Sequence, residues 1–123
     1  MSSATIAGTV ADLRPAERRE HERFKAHVPL EFSQEGGVVN RAETADLSLG
    51  GCYVEMMFTL EVGTRLQITM WVNGEKLRCQ GVVVTRHVQF GNGIQFHDMK
   101  LYDRSRLRLY LESLQAEDIP RIC

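Results

Sequence analysis

An all-β fold with a terminal helix is the class that this 123-residue sequence predicts. Three observations predict it: short stretches whose apolar residues alternate at period two, turn signals between them, and one switch to helical spacing near the C-terminus. Short strands in that succession suit a small antiparallel barrel capped by the helix. The length suits one domain with a real core. A hydrophobic fraction of 43% with 25% charged residues is the balance of a globular chain.

The elements follow in order. Residues 1–16 are small, weakly patterned and close on Arg14-Pro15, so a flexible tail is expected there. The domain proper is expected over residues 17–99, beginning with the dense charge block Glu17 to Lys25. Val28, Leu30 and Phe32 then share one face of a first strand, and Pro29 places it near an edge or a strand start. Glu35-Gly36-Gly37 is a turn, and Val38 to Thr44 is a more polar second strand. Asp46 to Gly51 is expected as a loop, Cys52 to Met57 as a third strand, and Val62-Gly63-Thr64 as its closing turn. Leu66, Ile68, Met70 and Val72 alternate with polar partners up to Asn73-Gly74, a strong hairpin signal because both residues tolerate the positive φ of a type I′ turn. Leu77 to Val88 returns, Gly91-Asn92-Gly93 is read as a turn, and Ile94 to His97 ends the strands. Leu107, Tyr110, Leu111 and Leu114 then fall at i, i+3, i+4 and i+7 on a helix within residues 100–123, with Asp103 as its expected N-cap.

Composition excludes several function classes. Fifteen basic against sixteen acidic residues leave a formal net charge of −1, too little for a broad electrostatic grip on DNA, RNA or an anionic membrane. Twelve of the fifteen are arginine, the residue whose planar fork recognises phosphates and guanine edges. A local arginine site is permitted where a basic surface is not. Cys52, Cys79 and Cys123 are odd in number and far apart, which argues against a disulfide scaffold or a zinc knuckle; Cys52 and Cys79 are expected as buried small hydrophobes. Neither a signal peptide nor a stretch long enough to span a membrane is present, so a cytoplasmic protein without membrane insertion is expected.

Enzyme signatures fail quickly. There is no Gly-x-Ser-x-Gly elbow, no His-Glu-x-x-His and no phosphate loop ending in Gly-Lys-Ser/Thr. Gly91-Asn92-Gly93 lacks the third glycine and the helix of a dinucleotide fingerprint. His21, His27, His87 and His97 have no metal-ligand spacing. No catalytic residue, metal site or resident cofactor is expected.

Two short patterns remain. Arg19-x-x-x-Arg23 lies in the charge block, and Asp46-x-Ser48-x-x-Gly51 fills the loop after the second strand. The arginine spacing alone carries little weight. Twelve arginines should produce it about once by chance, and it recurs at Arg14/Arg18 and at Arg104/Arg108, the latter more simply a solvated helix face. The Asp-Ser-Gly pattern is rarer, expected on the order of 0.02 times in such a chain. Its local reading is a turn in which Asp46 and Ser48 bond nearby backbone and Gly51 supplies unusual backbone angles.

Together with Arg18 and the closing Gly93-Ile94-Gln95-Phe96 strand, these residues resemble the PilZ domain, a bacterial receptor for cyclic di-GMP, over about Glu17 to Met99. The resemblance implies a six-stranded antiparallel split barrel with a C-terminal helix and a non-catalytic cyclic di-GMP receptor. It implies that Arg19 and Arg23 grip phosphate and guanine from an arm, with Asp46 and Ser48 binding from the barrel and Gly51 permitting close backbone approach. Gly50 and Gly93 belong to the same motifs, and Arg86 is an additional basic candidate. Arg18, immediately before the arginine pair, implies an intercalated pair of ligand molecules. The ligand's chemistry agrees: arginine forks onto a phosphodiester or onto guanine O6/N7, and a carboxylate accepts from guanine N1 and N2 but finds no such pair of donors on adenine. The arm has too little apolar content to order alone, so ligand phosphates are expected to fold it against the barrel and alter the surface that an unidentified protein partner reads. Whether the helix stripe packs on the barrel or joins two subunits, monomer or homodimer, stays open at this level. The alternative reading is a small split-barrel flavin-binding protein or reductase, which lacks an evident phosphate nest or stacking pair beyond Trp71. A single-stranded nucleic-acid barrel would need interleaved aromatics and a basic groove, and 7% aromatics at this net charge argue against it.

Overall fold

The computed structural model describes residues 21–118. Seven strands and a helix follow one another: β1 (Phe24–Lys25), β2 (Pro29–Ser33), β3 (Asn40–Leu47), β4 (Gly51–Glu55), β5 (Arg65–Val72), β6 (Glu75–His87), β7 (Gly91–His97) and α1 (Leu101–Asp118). Every pairing is antiparallel. β3 pairs with β2, β2 with β5, β5 with β6, β6 with β7 and β7 with β4, and β4 returns to β3 to close a six-stranded barrel. The two-residue β1 adds itself to the rim of β3. The expected tail of residues 1–16, with Arg18 and Arg19, lies outside the described residues.

The alternating faces converge as the period of two demands. Leu30 and Phe32 from β2, Leu66, Ile68, Met70 and Val72 from β5, Leu77, Cys79 and Val83 from β6, and Ile94 from β7 are all buried. Between β5 and β6, Asn73 and Gly74 sit at φ 52° and 79°, the left-handed values of the expected hairpin turn. The helix stripe packs on this core: Leu107 and Leu111 are buried in it, and Tyr110 and Leu114 lie partly buried against it. Burying a leucine side chain such as Leu107 contributes about 2–3 kcal/mol, so the stripe is a seal for the barrel. The helix touches β1, β5 and β6.

Four local expectations are corrected. The second strand runs to Leu47, not Thr44, so Asp46 and Leu47 belong to β3 and not to a loop. The third strand stops at Glu55, two residues early, with Met56 N–H making one last bond to the Phe90 carbonyl at 3.0 Å. The reversal before β7 is made by Val88 to Phe90, with Gln89 at φ 71°, and Gly91-Asn92-Gly93 lies inside β7. Glycine is needed in that strand because neighbouring groups lie across it, the Val54 carbonyl and the Tyr53 ring at Gly91 and the Thr85 hydroxyl at Gly93. Asn92 between them is fully buried and saturated, accepting from Leu60 N–H at 2.7 Å and donating to the Leu60 and Thr85 carbonyls at 2.9 and 3.1 Å. It thereby ties the β4–β5 connection to the barrel. Last, α1 begins at Leu101, so Asp103 sits inside its first turn and its carboxylate accepts from Arg78 N–H of β6 at 3.4 Å.

Candidate ligand-binding site

The site is built on a defect in β3. Plain alternation from Ala42 and Thr44 would turn Asp46 inward and Leu47 outward. A bulge between Thr44 and Asp46 shifts the register against β4 and reverses that parity. Leu47 therefore enters the core with no exposure, and Asp46 is presented outward at the rim. Thr44, on the inner side of the bulge, is buried; its hydroxyl donates to the Ala26 carbonyl and accepts from Val28 N–H at 2.9 Å. That pair holds the segment leading from β1 into β2 against β3.

The same register carries the arm to the rim. Phe24 pairs with Leu47 and packs partly buried on the core, while Lys25 pairs with Asp46. Arg23 is thus delivered beside Asp46, its Nη1 3.1 Å from Asp46 Oδ1. Both side chains remain about one-third exposed, at 32% and 31%, so the ion pair is open to competition from water and other ligands.

Ser48 and Gly51 form the corner between β3 and β4. The Ser48 hydroxyl accepts from Gly50 and Gly51 N–H, both at 3.1 Å, and donates to the Gly51 carbonyl at 3.2 Å. Ser48 therefore makes the local turn, whereas Asp46, read from sequence as its companion in the turn, spends its carboxylate on Arg23. At Gly51 a Cβ would collide with the Ile94 carbonyl of β7, so only glycine lets β4 start this close to its neighbour. Gly50 accepts from Phe96 N–H at 2.8 Å, and the His21 ring lies over its Cα.

Arg23, Asp46, Ser48, Gly50 and Gly51 are thus gathered at one corner. Gly93 lies farther along the barrel wall, on β7 opposite Tyr53, and donates its N–H to Thr85 Oγ1 at 3.0 Å. Arg86 is held elsewhere, its Nε donating to Thr59 Oγ1 at 2.9 Å in the β4–β5 connection. Arg18 and Arg19 lie outside the described residues. A cleft of about 200 Å³ separates His21, Glu22 and Phe24 of the arm and Leu49 of the corner from Arg108 and Leu111 of α1. Arg108, expected as solvated helix face, is exposed and also lines this cleft. A larger cleft of about 760 Å³ runs between Arg41–Ala45 and Met56–Leu60 and holds none of the motif residues. No group of His, Cys, Asp and Glu side chains suited to a metal ion occurs among the described residues, and no helix among them is long and apolar enough to cross a membrane.

Burial raises both described cysteine thiols. Cys79 is pushed up to about 12, with the Asp103 carboxylate adding to the effect. Cys52 is pushed the same way by burial first, then by Cys79 and Asp46. These are protonated packing groups, not nucleophiles.

Comparison with known proteins agrees with this architecture. The sequence matches the PilZ domain family over residues 17–113. Among solved structures, the motility inhibitor MotI/DgrA of Bacillus subtilis superposes with a TM-score of 0.74 at 17% identity, covering 84% of this chain and 54% of its own. The PilZ domain of CeSA from a cellulose-synthesizing bacterium superposes at 0.59 and 27% identity, covering 76% of this chain and 98% of its own. YcgR of Escherichia coli, solved in complex with c-di-GMP, superposes at 0.67 and 20% identity, covering 81% of this chain and 47% of its own. The chain thus spans about half the length of MotI and YcgR. No curated protein matches the sequence.

Proposed function

The chain belongs to the PilZ domain family, and on that premise we propose that it is a non-catalytic receptor for cyclic di-GMP. One observation carries the reading: the 3.1 Å contact between Arg23 and Asp46, which brings the two halves of the arginine and Asp-Ser-Gly motifs to one corner of the barrel. Arg19 and Arg23 supply the guanidinium forks for phosphate and guanine O6/N7, and Asp46 accepts from guanine N1 and N2. Ser48, Gly50 and Gly51 hold the corner in the shape that admits the ligand's backbone. The Arg23–Asp46 pair is exposed enough to open, so ligand phosphates replace a carboxylate at Arg23 and free Asp46 for a base.

Arg18 extends the arm by one more fork, which favours a stacked pair of ligand molecules over a single one. Engagement of the arm by the ligand then alters the surface beside α1 and Leu49, where an unidentified protein partner of the cytoplasm reads the change. Structures of YcgR with c-di-GMP support the ligand class by family kinship.

Isothermal titration of the full chain with cyclic di-GMP tests this reading. Saturable binding with two ligand molecules per chain is expected, and Arg19→Ala or Arg23→Ala should each lose about 1.5–3 kcal/mol, the worth of a hydrogen bond to a charged group. Wild-type protein that shows no heat at tens of micromolar would end the receptor reading. A single ligand per chain would end the paired-ligand reading alone.

A further inference from the structure

Beyond the motif corner, the barrel wall continues into an aromatic shelf. Across the sheet, Asp46 stands opposite Tyr53, Tyr53 opposite Gly93, and Gly93 opposite Thr85. Cys52 and Val54 are buried, so Tyr53 and Glu55 between and beyond them face outward with Asp46. Tyr53 does not project into solvent. A Cβ on Gly91 would lie 2.8 and 2.9 Å from Tyr53 Cε2 and Cζ, so the ring rests on the backbone of β7 where that residue has no side chain. Its hydroxyl lies 3.2 Å from His87 Nδ1, and the two rings sit 5.9 Å apart at 46°. The ring is therefore held against the β7 backbone at Gly91 while it also borders open space. A cleft of about 650 Å³ opens over it, lined also by Glu55, Gln89 and the exposed Phe90. Glu55 follows Tyr53 by two residues on the same outward face of β4, is exposed, and lines the same cleft.

An aromatic ring held against the sheet, with a carboxylate lining the same cleft, has the chemistry to recognise a guanine: the ring stacks on the base and the carboxylate accepts from N1 and N2. Resting on the receptor reading above, we propose that Tyr53 is the stacking platform for one guanine base of the bound ligand and Glu55 the acceptor for that base's N–H groups. Gly91 is the positioning residue, since its missing side chain leaves room for the ring. The motif corner then takes phosphate and one guanine, and the shelf one register step along takes another. This second subsite sharpens selection for guanine over adenine, since adenine offers no adjacent pair of donors to Glu55.

Calorimetry and NMR on the full chain with cyclic di-GMP and with cyclic di-AMP test the assignment. Tyr53→Ala is expected to weaken cyclic di-GMP binding about tenfold, within the range for loss of one base–aromatic stack, and Tyr53→Phe to stay within about twofold of wild type. Glu55→Gln should narrow the preference for cyclic di-GMP over cyclic di-AMP. In the wild-type complex, which needs no variant to fold, a guanine H8 proton should shift upfield and show a nuclear Overhauser contact to the Tyr53 ring. If Arg23→Ala weakens binding while Tyr53→Ala does not, and no ligand proton contacts the ring, the shelf is overturned and the receptor reading stands. If wild type binds no cyclic di-GMP at all, both fall together.

Discussion

Thr44 and Asp46 stand two residues apart on β3 and use their oxygens in opposite ways. Thr44 is buried and commits its hydroxyl to two backbone groups of the Ala26–Val28 segment. Asp46 is about one-third exposed and meets the equally exposed guanidinium of Arg23. The bulge between them is what separates the roles. The same division holds across the molecule. Asn92 clamps the β4–β5 connection from inside the barrel and the buried Ser48 ties the β3–β4 corner, while Arg23 and Asp46 keep their charges at the rim. Buried polar groups here define the shape, and rim polar groups are left exchangeable.

The sharpest way to break that contrast is to disable the clamp. Asn92→Leu leaves the Leu60 N–H and the Leu60 and Thr85 carbonyls without their partner, which should cost about 3 kcal/mol of stability. Urea unfolding measures it, and the fraction that stays folded should bind ligand as wild type does. Thr44→Val is the strand-internal version. It should cost about 2 kcal/mol in the same assay for two lost hydrogen bonds, and a loss as large for Arg23→Ala would erase the distinction between core and rim. Arg23→Ala should instead change stability by no more than about 0.5 kcal/mol, since an exposed ion pair contributes little, while lowering ligand affinity more than tenfold. Asp46→Ala separates charge from shape. It should reduce the preference for cyclic di-GMP over cyclic di-AMP and leave the unfolding midpoint within a few tenths molar of urea.

The smallest effect concerns pH. Burial raises the Cys79 thiol to about 12 from an ordinary value of about 9. Below about 9 the thiol is protonated in both folded and unfolded chains and stability is intact. Above it the unfolded chain ionises first, so stability should decline as pH rises towards 12. Comparison of urea midpoints with Cys79→Val across that interval isolates the contribution, and a variant that declines as steeply as wild type would remove it. In the same window the native thiols should resist alkylation until the barrel opens.

Much of the fold could be read from residue order alone. Alternation at Leu66–Val72, the Asn73-Gly74 reversal and the Leu107–Leu114 stripe are local patterns, and each appears in the structure where its spacing puts it. The errors share one cause. Gly91-Asn92-Gly93 looks like a turn because glycine usually marks one, yet here glycine serves side chains that arrive from β4 and β6. Asp46 looks like a loop residue because it precedes Ser48 and two glycines, yet closure of β3 on β4 draws it into the sheet. Tyr53 carried no signal, because what gives its ring room against β7 is the missing side chain of Gly91 on another strand.

The sequence by itself determined the class of fold, the hairpin, the helix stripe and the identity of the residues in both motifs, because periodicity and turn chemistry act between near neighbours. Only the tertiary structure decided that Arg23 meets Asp46, that a bulge turns the carboxylate outward, and that Tyr53 stands opposite it with its ring against Gly91. Those outcomes depend on register between strands far apart in sequence, and register is set when the whole barrel closes on its core.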